Sequence, residues 1–159
     1  MIQLFRIDSR LIHGQVVEGW LKYKPADEII VVNNTIASDR FQAKILSIAV
    51  PEGVSFEVLT TEEFMKRFPI LKGSTKKYLI LIDSIKVIKQ LIDLGLNSVE
   101  INLGLLNYED DKQPLTRSIY INAEEKGILR KLIEKGVKIF IQTLPTDDKI
   151  PVENVLGKI

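Results

Sequence analysis

The sequence predicts an α/β fold: a mainly parallel sheet of about six or seven strands with helices on both faces. Three observations carry that expectation. Apolar, β-branched runs recur along the chain, each is followed by a longer stretch with helical spacing, and capping residues or glycines stand at the junctions. With 159 residues, 45% of them hydrophobic, the chain can bury one substantial core, because a domain of this size hides roughly 70% of its unfolded surface. A single domain over residues 1–159 is expected.

In chain order, the first apolar run, 2–6, reads as a strand and leads into a polar segment followed by a helix. The run 28–33 is the second strand. Ser38-Asp39 then opens a helix carrying Phe41, Ile45, Leu46 and Ala49, since a hydroxyl and an early carboxylate suit exposed N–H groups. The third strand, 55–59, is followed by a similar start at Thr60-Thr61-Glu62-Glu63, and 68–76 reads as a turn-rich loop before the strand 77–82. Gln90-Leu-Ile-Asp-Leu-Gly95 ends a helix and leads into the strand 98–102. After a second loop, 105–114, come a strand at 117–121, a helix start at Asn122-Ala-Glu-Glu, and a helix end at Lys131-Leu-Ile-Glu-Lys-Gly136 before the last strand, 137–142. The two glycine-terminated stretches read as equivalent helix-to-strand junctions rather than a sequence repeat. Neither loop has the low complexity of an interdomain linker.

Composition excludes several function classes. Basic and acidic residues number 22 and 21, so no charge excess draws the chain to nucleic acid or anionic lipid. There is no cysteine and one histidine, which leaves no thiolate ligands and makes a histidine-built zinc site within the chain implausible. No metal and no cofactor is expected. Charges arrive too early for a signal peptide, and no apolar run approaches the ~20 residues that span a bilayer. A cytoplasmic chain that does not itself cross the membrane is the expectation.

In open parallel sheets ligands gather at the carboxyl ends of strands, where helix N–H groups point into the crevice. The segment after the first strand reads Arg6-Ile-Asp-Ser-Arg10-Leu-Ile-His13-Gly-Gln-Val-Val-Glu-Gly-Trp20. It brings Arg6, Asp8, Arg10 and the lone His13 within eight residues. A neutral imidazole can attack phosphorus. Phosphoryl transfer asks mainly for in-line positioning and for cations or N–H groups around the peripheral oxygens. Arg6 and Arg10 suit that task through their planar donor forks. Gly14 would let backbone approach a phosphate, and Asp8 could hold an arginine or the imidazole. Each residue also has an ordinary explanation: a surface histidine, a solvated Asp8–Arg10 pair, a turn glycine. Residue chemistry alone leaves the two readings level. Trp20, with Val16, Val17 and Leu21, reads as the helix face packed on the sheet.

The run Arg6-Ile-Asp-Ser-Arg-Leu-Ile-His-Gly-Gln-Val-Val17 resembles the phosphorylation-site signature of enzyme IIB components of the mannose-fructose-sorbose family of the bacterial sugar phosphotransferase system. Ile29-Ile-Val-Val-Asn, Ala37-Ser-Asp-Arg-Phe, Lys44-Ile-Leu-Ser-Ile-Ala-Val-Pro51, Glu100-Ile-Asn-Leu-Gly104, Ser118-Ile-Tyr-Ile and Gly136-Val-Lys-Ile follow the same family's layout, so the likeness covers almost the whole chain. The resemblance implies a phosphotransferase subunit of a complex, a stand-alone IIB unit with no IIA domain attached. It implies that His13 is phosphorylated at Nδ1 by a phosphohistidine of a IIA protein or domain and passes the group to a sugar during uptake through membrane IIC and IID subunits. Arg6 and Arg10, with Gly14 and Gln15, would bind the phosphoryl group and Asp8 would orient the site. Asn34 and Ser84, at the ends of other strands, are further candidate donors to phosphate, with helix capping as the rival role. Relatives often carry an acidic pair where Asn33-Asn34 stands and a second glycine where Leu105 follows Gly104.

A receiver domain would need an acidic pair after the first strand and a phospho-accepting aspartate after the third, which here ends Leu59-Thr60-Thr61. A nucleotide-binding domain would need a P-loop or a dinucleotide fingerprint, and neither pattern occurs. The remaining alternative is a non-catalytic regulatory paralogue that holds an anion or docks phosphotransferase partners.

Overall fold

The computed structural model describes residues 1–157 and, at Gln15, the backbone alone. The strands are β1 (Ile2–Asp8), β2 (Glu28–Val32), β3 (Ser55–Leu59), β4 (Tyr78–Ile82), β5 (Glu100–Leu105), β6 (Gln113–Pro114), β7 (Tyr120–Ile121), β8 (Lys138–Ile141) and β9 (Ile150–Pro151). Helix α1 is a π-helical stretch, Gln15–Trp20, continued as Leu21–Tyr23. The others are α2 (Asn34–Ala37), α3 (Arg40–Ile48), α4 (Thr61–Gly73), α5 (Ile85–Asp93), α6 (Ala123–Glu134) and α7 (Glu153–Leu156).

Seven strands form one sheet in the order β3-β2-β4-β1-β5-β8-β9, parallel except for the last pair. β2 and β4 are buried at every position, as unbroken apolar runs should be when helices cover both faces. The chain leaves β1 towards β2 and β3, returns to β4, and then crosses past β1 to β5. Right-handed crossovers made in opposite directions put their helices on opposite faces. One core accordingly joins Leu4, Ile29, Val31, Leu79 and Leu81 to Val16 and Trp20, with Ile36 and Leu46 packed against it. The other joins Phe5, Ile7, Ile80 and Leu103 to Phe64, Leu71, Ile88, Leu129 and Leu156. The reversal of direction at β1 opens a crevice at its carboxyl end.

Local signals are realised at the helix ends. Thr60 and Asn122 each form a capping box with Glu63 and Glu125, and Asp39 accepts from the N–H groups of Phe41 and Gln42. Gly95 and Gly136 sit at φ 102° and 80°. After them, Leu96 N–H donates to Leu91 O and Val137 N–H to Leu132 O, the same glycine-dependent closure at both junctions.

Four elements differ from expectation. The segment 68–76 is not a loop at its start, because α4 runs to Gly73 through Pro69. Phe68 and Leu71 continue the buried stripe begun by Phe64, and that burial outweighs the one lost helical bond. The segment 117–121 is not a strand of the main sheet, since β5 is already flanked by β1 and β8. It meets β5 only beyond its end, at Leu106, and β7 pairs with β6 instead. The fifth strand starts later than 98, where Ser98 has φ 55°, and continues through Gly104. β1 extends beyond Arg6 to Asp8.

Candidate functional site

Alternation along β1 sends Leu4, Arg6 and Asp8 to one face. The last two are charged, yet both side chains are 0% exposed. Asp8 ends the strand, and its backbone carbonyl accepts from Leu11 N–H at 2.9 Å while its Oδ1 accepts from Arg10 N–H at 3.0 Å. The turn is tied to β5, because Ser9 N–H donates to Leu105 O (2.9 Å) and Asn107 N–H to Ser9 Oγ (3.2 Å). Leu11 holds φ 55° with its side chain buried beside Ile12 in the core. A left-handed leucine persists only where packing over-determines it, so the turn is preset before anything binds. Helix α1 starts from Gly14, and Val17 N–H reaches His13 O at 3.0 Å.

Asp8 is the hub of the loop. Its Oδ2 lies 3.0 Å from Arg6 Nη2, 3.2 Å from Arg10 Nη2 and 3.3 Å from His13 Nε2, while Oδ1 accepts from Arg10 Nε at 3.1 Å. His13 is 18% and Arg10 31% exposed, so both face outwards from the buried carboxylate. Burial pushes the Asp8 carboxyl up, but hydrogen bonds from Arg10 and the charge of Arg6 together hold it below the usual carboxylate range. Burial also lowers the His13 imidazole below its ordinary value; Asp8 opposes this and Arg10 adds to it. The ring is therefore neutral at neutral pH.

Arg6, expected at the phosphoryl group, is walled in. Nη1 donates to Asn102 Oδ1 (2.5 Å) and Gln142 O (3.0 Å), and Nη2 to Asp8 and Thr143 O (3.1 Å). The guanidinium lies 5.2 Å from the Trp20 ring, whose Nε1 donates to Thr143 O. Trp20 is core, as read from the sequence, and also a wall of this cage. Gly14, at φ −50°, is in ordinary right-handed helical conformation, and among the described residues nothing lies within 4 Å of where a Cβ would stand. Its lack of a side chain is thus not needed by the fold. The Gln15 side chain lies outside the described residues.

The structure does not join the remaining candidates to this hub. Asn34 Oδ1 accepts from Thr61 N–H (2.8 Å) and Oγ1 (3.3 Å), tying α2 to the start of α4. Ser84 precedes α5 and hydrogen-bonds Asp83. Asp83 also accepts from Asn33 Nδ2 at 2.6 Å, and burial raises its carboxyl. Asn102, Gly104, Gln142 and Thr143 are not among the residues that the sequence marks for the site. The available signal was a polar residue and a glycine interrupting the buried run Glu100-Ile-Asn-Leu-Gly104. Among the described residues no group of three His, Cys, Asp or Glu side chains could hold a metal. A cleft of about 600 Å³ lined by Met1, Tyr23, Glu100 and Lys149 opens at the other end of the sheet, away from the loop.

Comparison with known proteins gives a consistent picture. Residues 2–159 match the family model described as the PTS system sorbose subfamily IIB component. The chain is 31% identical to the fructose-specific EIIB component of Bacillus subtilis (strain 168), over 92% of this chain and 90% of that protein. It is 25% identical to the mannose-specific EIIAB component of Escherichia coli (strain K12), over 100% of this chain and 49% of that protein, of which it spans about half. Among solved structures, manxB from Thermoanaerobacter tengcongensis superposes with a TM-score of 0.89 at 29% identity, covering 99% of this chain and 96% of that one. The IIBSor domain of the Klebsiella pneumoniae sorbose permease shares the fold, with a TM-score of 0.90 at 24% identity, covering 99% and 97%.

Proposed function

Because this chain belongs to the sorbose subfamily of IIB components of the sugar phosphotransferase system, we propose that its carrier chemistry runs through Nδ1 of His13. The family role is that of a phosphohistidine carrier, a phosphotransferase subunit moving phosphate from IIA towards sugar. We read residues 1–159 as one carrier unit. The observation that supports His13 is the 3.3 Å contact between Asp8 Oδ2 and His13 Nε2. A carboxylate there accepts the Nε2 proton, which fixes the tautomer and leaves the lone pair on Nδ1. That lone pair attacks the phosphorus of a phosphohistidine on the IIA donor. The donor's N–P bond breaks as the Nδ1–P bond forms. In the second half-reaction a sugar hydroxyl attacks phosphorus, the Nδ1–P bond breaks, and the hydroxyl proton is released as neutral imidazole returns.

Arg10, part-exposed beside His13, is the cation that meets the phosphoryl oxygens. Gly14 and the backbone of Gln15, at the start of α1, offer N–H groups to the phosphoryl oxygens, and Asp8 orients the ring. Arg6 acts from behind Asp8 rather than on the phosphoryl group. The donor is a IIA protein or domain; the acceptor is sugar held by membrane IIC and IID subunits. No helix among the described residues is long and apolar enough to cross a membrane, which fits a subunit working at the cytoplasmic side of that transporter. Relatives named for fructose, mannose, sorbose and N-acetylgalactosamine match comparably, so one carrier design serves several sugars.

The test is to incubate the chain with phosphoenolpyruvate, the general phosphotransferase proteins and a cognate IIA. An acid-labile, base-stable adduct should form on His13 and be absent from His13→Ala. An unmodified wild-type chain would leave only the anion-holding, non-catalytic role.

A further inference from the structure

We propose that Asn102 and Gly104 of β5 are positioning residues for phosphoryl acceptance, acting on His13 through Arg6 and Asp8. The proposal rests on the carrier reading above and adds the part of the molecule that holds its nucleophile in place.

The Arg6 side chain is fully buried. Its terminal nitrogens are engaged by Asn102, the carbonyls of Gln142 and Thr143, and Asp8, and Nε has no partner among the described residues. A guanidinium buried this completely cannot swing out to an incoming phosphate without leaving those acceptors unpaired. What it can do is hold Asp8. Asp8 Oδ2 is shared by Arg6 Nη2, Arg10 Nη2 and His13 Nε2; Arg10 is part-exposed and Arg6 fully buried, so Arg6 is the anchor from within for the carboxylate that selects the imidazole tautomer.

β5 makes room for Arg6 and supplies its side-chain acceptor. A Cβ on Gly104 would collide with the guanidinium carbon and both terminal nitrogens. The pairing of β1 with β5 shifts at this point, Ile7 opposing Leu103 and Asp8 opposing Leu105, so Gly104 is the residue passed over. A bulge of this kind re-aims a strand next to a site. Asn102 faces Arg6 in register, and its Nδ2 also donates to Gln142 O at 3.1 Å. One side chain thereby fixes both the arginine and one of the carbonyls that receive it.

The charged groups acting on His13 are Asp8, Arg10 and Arg6. Displacing Arg6 removes a cation and leaves Asp8 less neutralised, and both changes favour imidazolium. Asn102→Ala and Gly104→Ala disturb the same guanidinium from different sides. Each should raise the His13 pKa by roughly half a unit to one unit. The neutral fraction on the acid limb then falls about 3- to 10-fold. The probe is potassium phosphoramidate, whose P–N bond breaks with loss of ammonia as the Nδ1–P bond forms. The acid limb of its pH–rate profile should move to higher pH in both variants, and ¹⁵N spectra of His13 should show loss of the single Nε2–H tautomer. Ile101→Val, on the opposite sheet face, should lower the melting temperature without moving the profile. If Gly104→Ala does not fold, Asn102→Ala decides. A folded Asn102→Ala with unchanged His13 pKa and tautomer overturns the proposal. Because the spectra need no phosphoryl transfer, that result is distinguishable from a failure of the carrier reading, in which wild type takes no phosphoryl group.

Discussion

At the residue scale, the loop divides its two arginines by burial. Arg6 is enclosed and Arg10 is about one-third exposed, although both contact Asp8. Losing a preorganised charge beside a transferred phosphoryl group costs ~10²–10³-fold in rate. Arg10→Ala should therefore slow phosphoryl acceptance by about that factor and also lower the stability read from the urea midpoint, by about 1–3 kcal/mol, because it removes two side-chain donors from the buried Asp8 carboxylate. Unaltered kinetics would remove Arg10 from the mechanism. Wild-type acceptance should keep more than half of its full rate at pH 6.5, with the midpoint of its acid limb lying lower, because burial lowers the His13 pKa from its ordinary value. Stability has a matching sign. Below 6.5 the unfolded histidine takes up a proton that the folded one refuses, so stability falls with pH until the folded pKa is reached and then levels. A proton titration of His13 by NMR checks the kinetic and the thermodynamic statement together. His13, Asp8 and Arg10 were legible in the sequence because they lie within six residues of one another. The role of Arg6 was not, because its acceptors Asn102, Gln142 and Thr143 stand 96 to 137 residues away.

At the scale of elements, local chemistry settled the helix ends and tertiary contact settled the strand ends. Gly95 and Gly136 adopt left-handed φ and allow the closing bonds to Leu91 and Leu132. Among the described residues nothing lies within 4 Å of a Cβ built on either, so an alanine there meets no steric wall and the cost is conformational. Gly95→Ala and Gly136→Ala should each destabilise by about 1 kcal/mol, and by similar amounts, in urea unfolding. A difference of several-fold would show that the junctions are not equivalent. β3 spans the same residues, 55–59, that the sequence marks as a strand. β1 runs on to Asp8, beyond its apolar run, because Arg6 and Asp8 are buried against partners that a strand pattern does not reveal.

At the scale of the whole molecule, the site depends on where β1 sits. It lies between β4 and β5, so the loop after it is supported from both sides, by the first core under α1 and by the end of β5. Ile80 of β4, fully buried, lies against the α4–α5 core, whereas Ile48 of α3 is 77% exposed. Ile80→Ala should cost about 3 kcal/mol or more and Ile48→Ala less than about 0.5 kcal/mol, read from denaturant midpoints. Equal costs would contradict the layered core.

The sequence by itself determined the α/β class, the helix caps, the glycine junctions and the cluster around His13, because each is written in residues close along the chain. Only the tertiary structure decided that 117–121 stays outside the main sheet, that Pro69 lies within a helix, and that Arg6 faces inwards. Those outcomes turn on which neighbour already occupies a strand edge, which side chains a core will bury, and which distant carbonyls receive a charge. Sequence spacing carries none of these, since they exist only once β1, β5 and β8 lie side by side.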